Sequence, residues 1–375
     1  MNVLIVGGGL GGLAAALAFR RRGARVQVVE QAPELGEVGA GLQVTPNGAR
    51  VLRALGVGSA MEAAGLRAEA LEPHDALSGR RLARFDLGRR GDWFFFHRAD
   101  LLALLHEAAI RAGAAIRTGA RVAAVWSEGA VLESGEGVPA DLVVGADGVH
   151  SVVRRRVLGE TQPFFTGQVA WRALVDARQE PVARIWMAPG RHAVTYPLRD
   201  GRLNLVAVRE EAEWAEEGWS HRDSPDALRA AFADAAPPLR AIIDRVTEVG
   251  RWGLFRHEVP ETWHDGRAVL LGDAAHPTLP FLAQGANLAL EDAWVLAREV
   301  TEHGLPEGLD RYQQDRRPRV RDAIDEANAN ARRFHQNGLS RRGAHLGLRA
   351  VGTLAPRAFL RRLDWLYGFD PTADG

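Results

Sequence analysis

Asn2-Val3-Leu4-Ile5-Val6-Gly7-Gly8-Gly9-Leu10-Gly11-Gly12 opens this chain of 375 residues. Residues 2–6 are an apolar run of strand length, and the glycines follow at once. Leu13 to Arg22 then reads as an Ala-rich helix closed by Gly23, and Arg25 to Val29 as a second strand ending in Glu30. Strand, glycine turn, helix, strand and acid in this order make a βαβ dinucleotide-binding unit. Gly7 is expected to permit the tight turn, Gly9 to let the backbone approach a pyrophosphate, and Gly12 to bring helix and strand close together. The helix N-terminus presents free N–H groups to the phosphates. Glu30 is placed to accept hydrogen bonds from the hydroxyls of an adenosine ribose. On its own the motif does not distinguish NAD from FAD.

Two further segments repeat the pattern of a buried strand ending in an acid. Asp141-Leu142-Val143-Val144-Gly145-Ala146-Asp147-Gly148 precedes a helix opened by His150-Ser151 and Arg154. Ala268-Val269-Leu270-Leu271 precedes Gly272-Asp273-Ala274-Ala275-His276-Pro277, and Gln284-Gly285-Ala286-Asn287 then begins a helix running to about Val300. Acids at the carboxyl ends of parallel strands point into the crevice where α/β sheets take their ligands. A helix starting near Gly285 aims its positive end at the same place, which suits a flavin ring that becomes anionic on reduction.

With these motifs in place the chain resembles the single-component FAD-dependent aromatic hydroxylases, including salicylate hydroxylase, 3-hydroxybenzoate 6-hydroxylase and 6-hydroxynicotinate 3-monooxygenase. The resemblance covers most of the chain. It also takes in Gly39-Ala40-Gly41-Leu42-Gln43 with Pro46-Asn47, His97-Arg98-Ala99-Asp100-Leu101, and Asp364-Trp365-Leu366-Tyr367-Gly368. It implies FAD as cofactor, NADH or NADPH as transient co-substrate and O2 as oxidant. Hydroxylation of a small phenolic or aromatic carboxylate substrate would proceed through a flavin C4a-hydroperoxide. Gly7, Gly9, Gly12, Glu30, Arg98, Asp147, Gly148, Asp273, Gly285, Ala286 and Asn287 would bind cofactor. Arg98 would meet the pyrophosphate and Asp273 the ribityl chain, with Asp147 between flavin and nicotinamide. Gln43, Val44 and Pro280 would border the substrate. Gln43 stands where the hydroxynicotinate enzyme has histidine, and Pro280 where the 3-hydroxybenzoate enzyme has glutamine, which disfavours both substrates. Two other readings stay open: epoxidation or N-hydroxylation of a non-phenolic substrate, and a flavin-binding sensor without turnover.

The expected fold class is α/β. A Rossmann-like FAD-binding domain, discontinuous over residues 1–70, 98–167 and 268–375, carries an inserted, mainly antiparallel sheet domain over 71–97 and 168–267, with C-terminal helices. Strand-like runs at Gln168–Val175, Pro181–Met187, His192–Pro197 and Leu203–Arg209 form the sheet, and the segment from about Arg67 to Phe96 is expected to join it. On a strand of period two, His192, Val194 and Tyr196 share one face. The resemblance makes His192 and Tyr196 the catalytic pair that removes the substrate's phenolic proton, a task an imidazole suits. Arg172 is a candidate clamp for a substrate carboxylate. Leu309 to Phe334 reads as a charged helix interrupted at Pro318, its arginines forming a solvated or dimer-facing surface. The Leu339–Trp365 tail is expected to cover the back of the FAD domain.

Composition narrows the chemistry. All 47 basic residues are arginine, so Schiff-base, Walker-lysine and flavin-halogenase mechanisms are excluded. No cysteine is present, which removes disulfides, thiolate catalysis and cysteine metal sites, and no metal is expected. Acids also number 47, so no net field marks a nucleic acid or membrane partner. Met1-Asn2 and the short run after it do not make a signal peptide, and no stretch approaches the ~18 apolar residues of a membrane span. A cytoplasmic monomer or homodimer is expected.

Overall fold

The computed structural model describes residues 1–36, 41–88, 92–213 and 222–373. Gly39 and Ala40 of the second glycine motif lie outside them. The five-stranded parallel sheet that carries the glycine motif has the order Ala268–Leu270, Leu142–Gly145, Asn2–Val6, Arg25–Val29, Ala115–Arg117. The chain leaves the central strand toward Arg25–Val29 on one side and later returns to Leu142–Gly145 on the other. The carboxyl end of Asn2–Val6 is therefore a switch point, where a crevice opens.

Sterics at this crossing demand glycine. Gly7 has φ +106°, and a Cβ there would lie 2.3 Å from the Ala146 carbonyl oxygen. A Cβ on Gly12 would sit 2.0 Å from the oxygen of Gly7, so the helix Leu10–Arg21 touches the strand backbone directly. Gly9 differs: among the described residues, no atom beyond its own chain neighbours lies within 4 Å of its Cβ position, leaving room for a ligand.

The inserted sheet has eight strands in the order Arg222–Asp223, Val249–Arg256, Phe164–Val175, Leu203–Glu210, Arg191–Pro197, Val182–Ala188, Ala70–Asp75, Phe85–Asp86. All its pairings are antiparallel except that of Ala70–Asp75 with Val182–Ala188. One face buries Trp171, Trp186 and Leu205 against two short helices, Pro225–Ala231 and Pro237–Ile243. The other face looks toward the nucleotide domain. The segment 67–96 joins this sheet only in part. Phe94–His97 pairs instead with Gly41–Val44 and Leu66–Arg67, forming a small sheet that braces the second glycine loop. A separate three-stranded meander, Val122–Trp126, Gly129–Leu132 and Gly137–Pro139, had no clear sequence signal.

The C-terminal helices correct two expectations. Glu307–Phe334 is a single helix containing Pro318 rather than one interrupted there. Its arginines are not all solvated. Arg316 is fully buried, with Nε 2.8 Å from Asp292 Oδ1 and Nη2 2.6 Å from Glu291 Oε2. Arg319 grips Glu291 with two 2.7 Å hydrogen bonds. Burial lowers the pKa of Arg316, but the two carboxylates more than offset it and raise it overall; His276 and Arg316 likewise hold Asp292 low against the effect of burial. No helix among the described residues is long and apolar enough to cross a membrane.

Removing one member of such a cluster leaves buried charge uncompensated. Arg316→Ala is expected to cost about 3–5 kcal/mol of stability, read as a lower denaturation midpoint with the m-value unchanged. A loss below about 0.5 kcal/mol, the range of an ordinary surface substitution, would contradict this account.

Candidate active site

A cavity of about 710 Å³ runs from the first glycine turn, past the ends of the parallel strands, to the inner face of the inserted sheet. Gly7, Gly9, Glu30, Arg98, Asp147, Gly148, Asp273, Gly285 and Ala286 all line it. At one end the Glu30 carboxylate accepts hydrogen bonds from Gly8 N at 2.6 Å and Ala32 N at 2.8 Å, which fixes its orientation at the rim. Asp147 accepts from Val152 N at 2.7 Å and from the Ser151 hydroxyl at 2.5 Å, so its side chain caps the helix Val152–Leu158 while still bordering the cavity. Arg98 and Asp273 face each other electrostatically at the middle. Burial first, then the like charge of Arg172, lowers Arg98 to about 10, while Asp273 pulls the other way. Asp273 lies deep in the fold, yet its side chain is open to the cavity, and burial raises its pKa.

The loops holding these groups are fixed by contacts far apart in sequence. Arg154 donates to the carbonyls of Ala274 at 2.9 Å and Ala275 at 3.2 Å, pinning the Asp273 turn to the neighbouring helix. Asn47 donates to Gln284 Oε1 at 3.0 Å and Glu291 Oε1 at 2.6 Å. His276 Nε2 lies 2.5 Å from Asp292 Oδ2. Asn204 Oδ1 accepts from Gly41 N at 2.7 Å, tying the second glycine loop to the inserted sheet, and a Cβ on Gly41 would meet that side chain at 2.7 Å. Arg154, Asn204, Glu291, Asp292, Arg316 and Arg319 were not singled out for these roles from sequence.

On the cavity face of the sheet, Arg172, Val206 and Val194 sit in one cross-strand row, with Ile185 and Pro73 continuing it. Arg172 lies over the Trp252 ring at 4.9 Å, and its buried Nε makes no hydrogen bond among the described residues. Burial lowers its pKa, against the pull of Tyr196 and Asp273. Tyr196 lines the same cavity and stacks on Phe95 at 5.0 Å. Burial raises its phenol far above the usual value, opposed by Arg172, so it stays protonated. Pro280 and Gln43 border both this cavity and a second, apolar one of about 240 Å³. Trp93 Nε1 donates to Gln43 Oε1 at 2.9 Å. An indole N–H only donates, so the carboxamide oxygen is committed to Trp93 and the NH2 end stays available.

Three candidates differ from expectation. His192 shares the strand face with Tyr196 but lies four residues, or about 13 Å, along the strand, outside the cavity lining. It is buried between Phe281 and Phe334, with Nδ1 2.8 Å from His335 Nε2, and His335 Nδ1 lies 2.8 Å from Glu210 Oε1. Burial, then the neighbouring His335, pushes its pKa well below normal. Val44 turns into the nucleotide-domain core and is 1% exposed. Asn287 spends its carboxamide on Thr45 N at 3.0 Å, Gln43 O at 2.9 Å and Ala283 O at 2.6 Å, so it clamps the second glycine strand rather than facing the cavity. Gly12 is likewise absent from the lining, its part being the helix–strand contact.

The residues present fit an FAD: a gap over Gly9, an acid at the adenosine end, a cation and an acid at the middle, and a helix N-terminus beyond them. This combination of fold and cavity defines a dinucleotide-binding flavoprotein. Residues 1–327 match the family model described as an FAD binding domain. The chain is 38% identical over 358 residues to 3-amino-4-hydroxybenzoate 2-monooxygenase of Streptomyces cremeus, covering 89% of this chain and 88% of that one. It is 35% identical to 3-hydroxybenzoate 6-hydroxylase of Polaromonas naphthalenivorans, over 99% and 96% of the two chains. The crystal structure of a Klebsiella pneumoniae HpxO variant complexed with FAD matches with a TM-score of 0.85 at 27% identity, covering 98% and 99%. The chain belongs to the FAD-dependent aromatic hydroxylase family and is an NAD(P)H-dependent flavoprotein monooxygenase. Among the described residues no cluster of acids and histidines is arranged to hold a metal ion.

The depressed His192 has a pH consequence. The unfolded chain binds a proton near ~6.5 that the folded chain refuses, so this group costs no stability above that pH and costs progressively more as pH falls below it. His192→Gln is expected to flatten the fall in melting temperature between pH 7 and 5. An unchanged slope would mean that the imidazole is protonated in the folded protein.

Proposed function

We propose that this enzyme hydroxylates a small aromatic ring bearing both a phenolic hydroxyl and a carboxylate. The carrying observation is Arg172, a cavity-lining guanidinium whose Nε is unpaired and which makes no salt bridge among the described residues, with Asp273 acting on it only electrostatically. A cation desolvated in this way gains most from an anionic ligand, and a planar guanidinium matches a carboxylate edge. Tyr196, kept protonated by its surroundings, would donate a hydrogen bond to the substrate's phenolic oxygen and orient the ring. Gln43, its carboxamide oxygen engaged by Trp93, would offer its NH2 to the substrate's other edge. Val194, Val206 and Pro280 form the dry wall against the ring and exclude water. Gly9, Glu30, Arg98, Asp147, Asp273 and the helix N-terminus at Gly285 would hold the FAD. When bound, that cofactor supplies the hydride acceptor for NAD(P)H and the centre where O2 is activated. The relatives named for amino-hydroxybenzoate and hydroxybenzoate substrates support a substituted benzoate over a plain phenol.

The placement of His192 away from the cavity favours one second reading. An epoxidation or N-hydroxylation needs no base to ionise a phenol, and a site without an accessible imidazole would serve it.

NADH and NADPH oxidation with a panel of hydroxy- and amino-hydroxybenzoates, together with aromatic alkenes and amines lacking a phenol, followed by product analysis, separates the two. A benzoate that both stimulates turnover and is recovered with an added hydroxyl supports the first reading; stimulation only by an alkene or amine rejects it. In Arg172→Met, affinity for the carboxylated substrate should fall roughly 10- to 100-fold, the loss of a charge-assisted hydrogen bond. Affinity for the corresponding phenol lacking the carboxylate should change less than about 3-fold. Equal losses for both ligands would remove the clamp.

A further inference from the structure

The helix Gly338–Leu354 covers the smaller apolar cavity, with Ala344, His345 and Leu348 in its lining. Arg341 pairs with Asp75, and Gly352 packs so close to Ala83 that a Cβ would meet Ala83 Cβ at 2.5 Å. These residues define the inner face. The opposite face is unusual for a helix bordering solvent: Leu339 is 83% exposed, Leu346 66% and Leu354 82%. Their spacing confines them to a sector of about 80° at ~3.6 residues per turn, with Arg342 and Arg349 along one edge. A surface helix ordinarily turns polar residues outward.

The charge of this region is equally one-sided. Between Glu326 and Asp364 the sequence holds eight arginines and no acid. Glu326 takes up Arg333 and Arg362, and Asp75 takes up Arg341. The neutral whole-chain balance therefore conceals a basic, leucine-studded strip.

We propose that the outer face of Gly338–Leu354 docks the enzyme on an anionic lipid bilayer surface, leucines in the acyl boundary and arginines among the headgroups. Apolar residues on one side with arginines beside them are the composition of a helix lying in a membrane interface. A second copy of this face is disfavoured by charge: an antiparallel two-fold pairing sets the Arg342/Arg349 edge against the same edge of the partner, and no acid between Glu326 and Asp364 is there to offset it in any pairing. Docking would also put the lid of the apolar cavity against the lipid phase, where weakly soluble aromatic compounds concentrate. The proposal does not depend on which substrate the enzyme uses.

Flotation of the FAD-loaded, full-length protein with phosphatidylcholine vesicles, or with the same vesicles containing phosphatidylglycerol, tests it. The expected result is at least tenfold more protein floating with the anionic vesicles, reduced by salt. The gain should be lost in Leu339→Ser/Leu346→Ser/Leu354→Ser and in Arg342→Glu/Arg349→Glu. Bound flavin absorbance and melting temperature in both variants should stay at wild-type values, because these side chains point away from the core. Failure of the wild type to float with either vesicle overturns the proposal, as does equal flotation of the variants. It is also overturned by a wild-type dimer in sedimentation that the leucine variant converts to monomer, which would assign the face to a contact between copies.

Discussion

The arrangement of the cavity depends on a cluster of charges that never reaches it. Glu291 and Asp292 occupy the second turn of the helix Gly285–His303, both fully buried; Arg316 and Arg319 from the next helix neutralise them, and His276 from the preceding turn lies 2.5 Å from Asp292. Through Asn47 the cluster reaches the second glycine strand, and through Gln284 the start of its own helix. Burying two carboxylates is tolerable only when the counter-charges have fixed geometry. The requirement holds three loops, at 45–47, 272–276 and 284–287, in one spatial relation. Those loops carry or support Gln43, Asp273, Gly285 and Ala286. A site built to place a planar cofactor needs this kind of support, since a small displacement of its walls would be felt directly in orientation.

Division of labour across the inserted sheet follows from its pleat. Residues pointing to one side, such as Trp171, Trp186 and Leu205, are sealed under two short helices and serve packing. The alternate residues face the nucleotide domain, and there position along the strand decides their use. The row through Arg172, Val206 and Val194 opens on the cavity. The row through His192 and Val208 is closed by Phe281 and Phe334. One face of a strand is thus two environments, a cavity wall carrying charged and phenolic groups and a closed aromatic pocket, and the two make different demands on a titratable group. In the first, burial lowers the arginine's pKa while Tyr196 and Asp273 oppose it. A histidine in the second is kept neutral and turns to another histidine for its hydrogen bond.

Much of the nucleotide half was legible in the sequence. Gly7 and Gly12 are required because an added Cβ would meet backbone oxygens at 2.3 and 2.0 Å, so the glycine pattern of a dinucleotide-binding turn is legible in the sequence. The buried strands at 2–6, 142–145 and 268–270 were visible as apolar runs because both of their faces are covered. Helix continuity through Pro318 was not legible. The proline's local penalty is outweighed by tertiary contacts of Tyr312, Arg316, Val320 and Ile324 on either side of it, which a local reading does not contain. The partition of 67–96 between two sheets was hidden for a similar reason, because strand propensity does not name the partner.

The sequence by itself determined the class of cofactor, the doubly wound core and the absence of lysine or thiol chemistry, since these rest on residue types and short spacings that physics allows to be read locally. Only the tertiary structure decided which polar residues meet. Period-two spacing set His192 and Tyr196 on one face, but the packing of Phe281 and the end of the helix Glu307–Phe334 over that face removed His192 from the cavity and left Tyr196 in it. Contacts between distant segments likewise left Arg172 desolvated beside the cavity, drawn by Asp273 without a salt bridge among the described residues, and made structural carboxylates of Glu291 and Asp292. Burial and the distance between charges set these roles, and both belong to contacts between segments far apart along the chain.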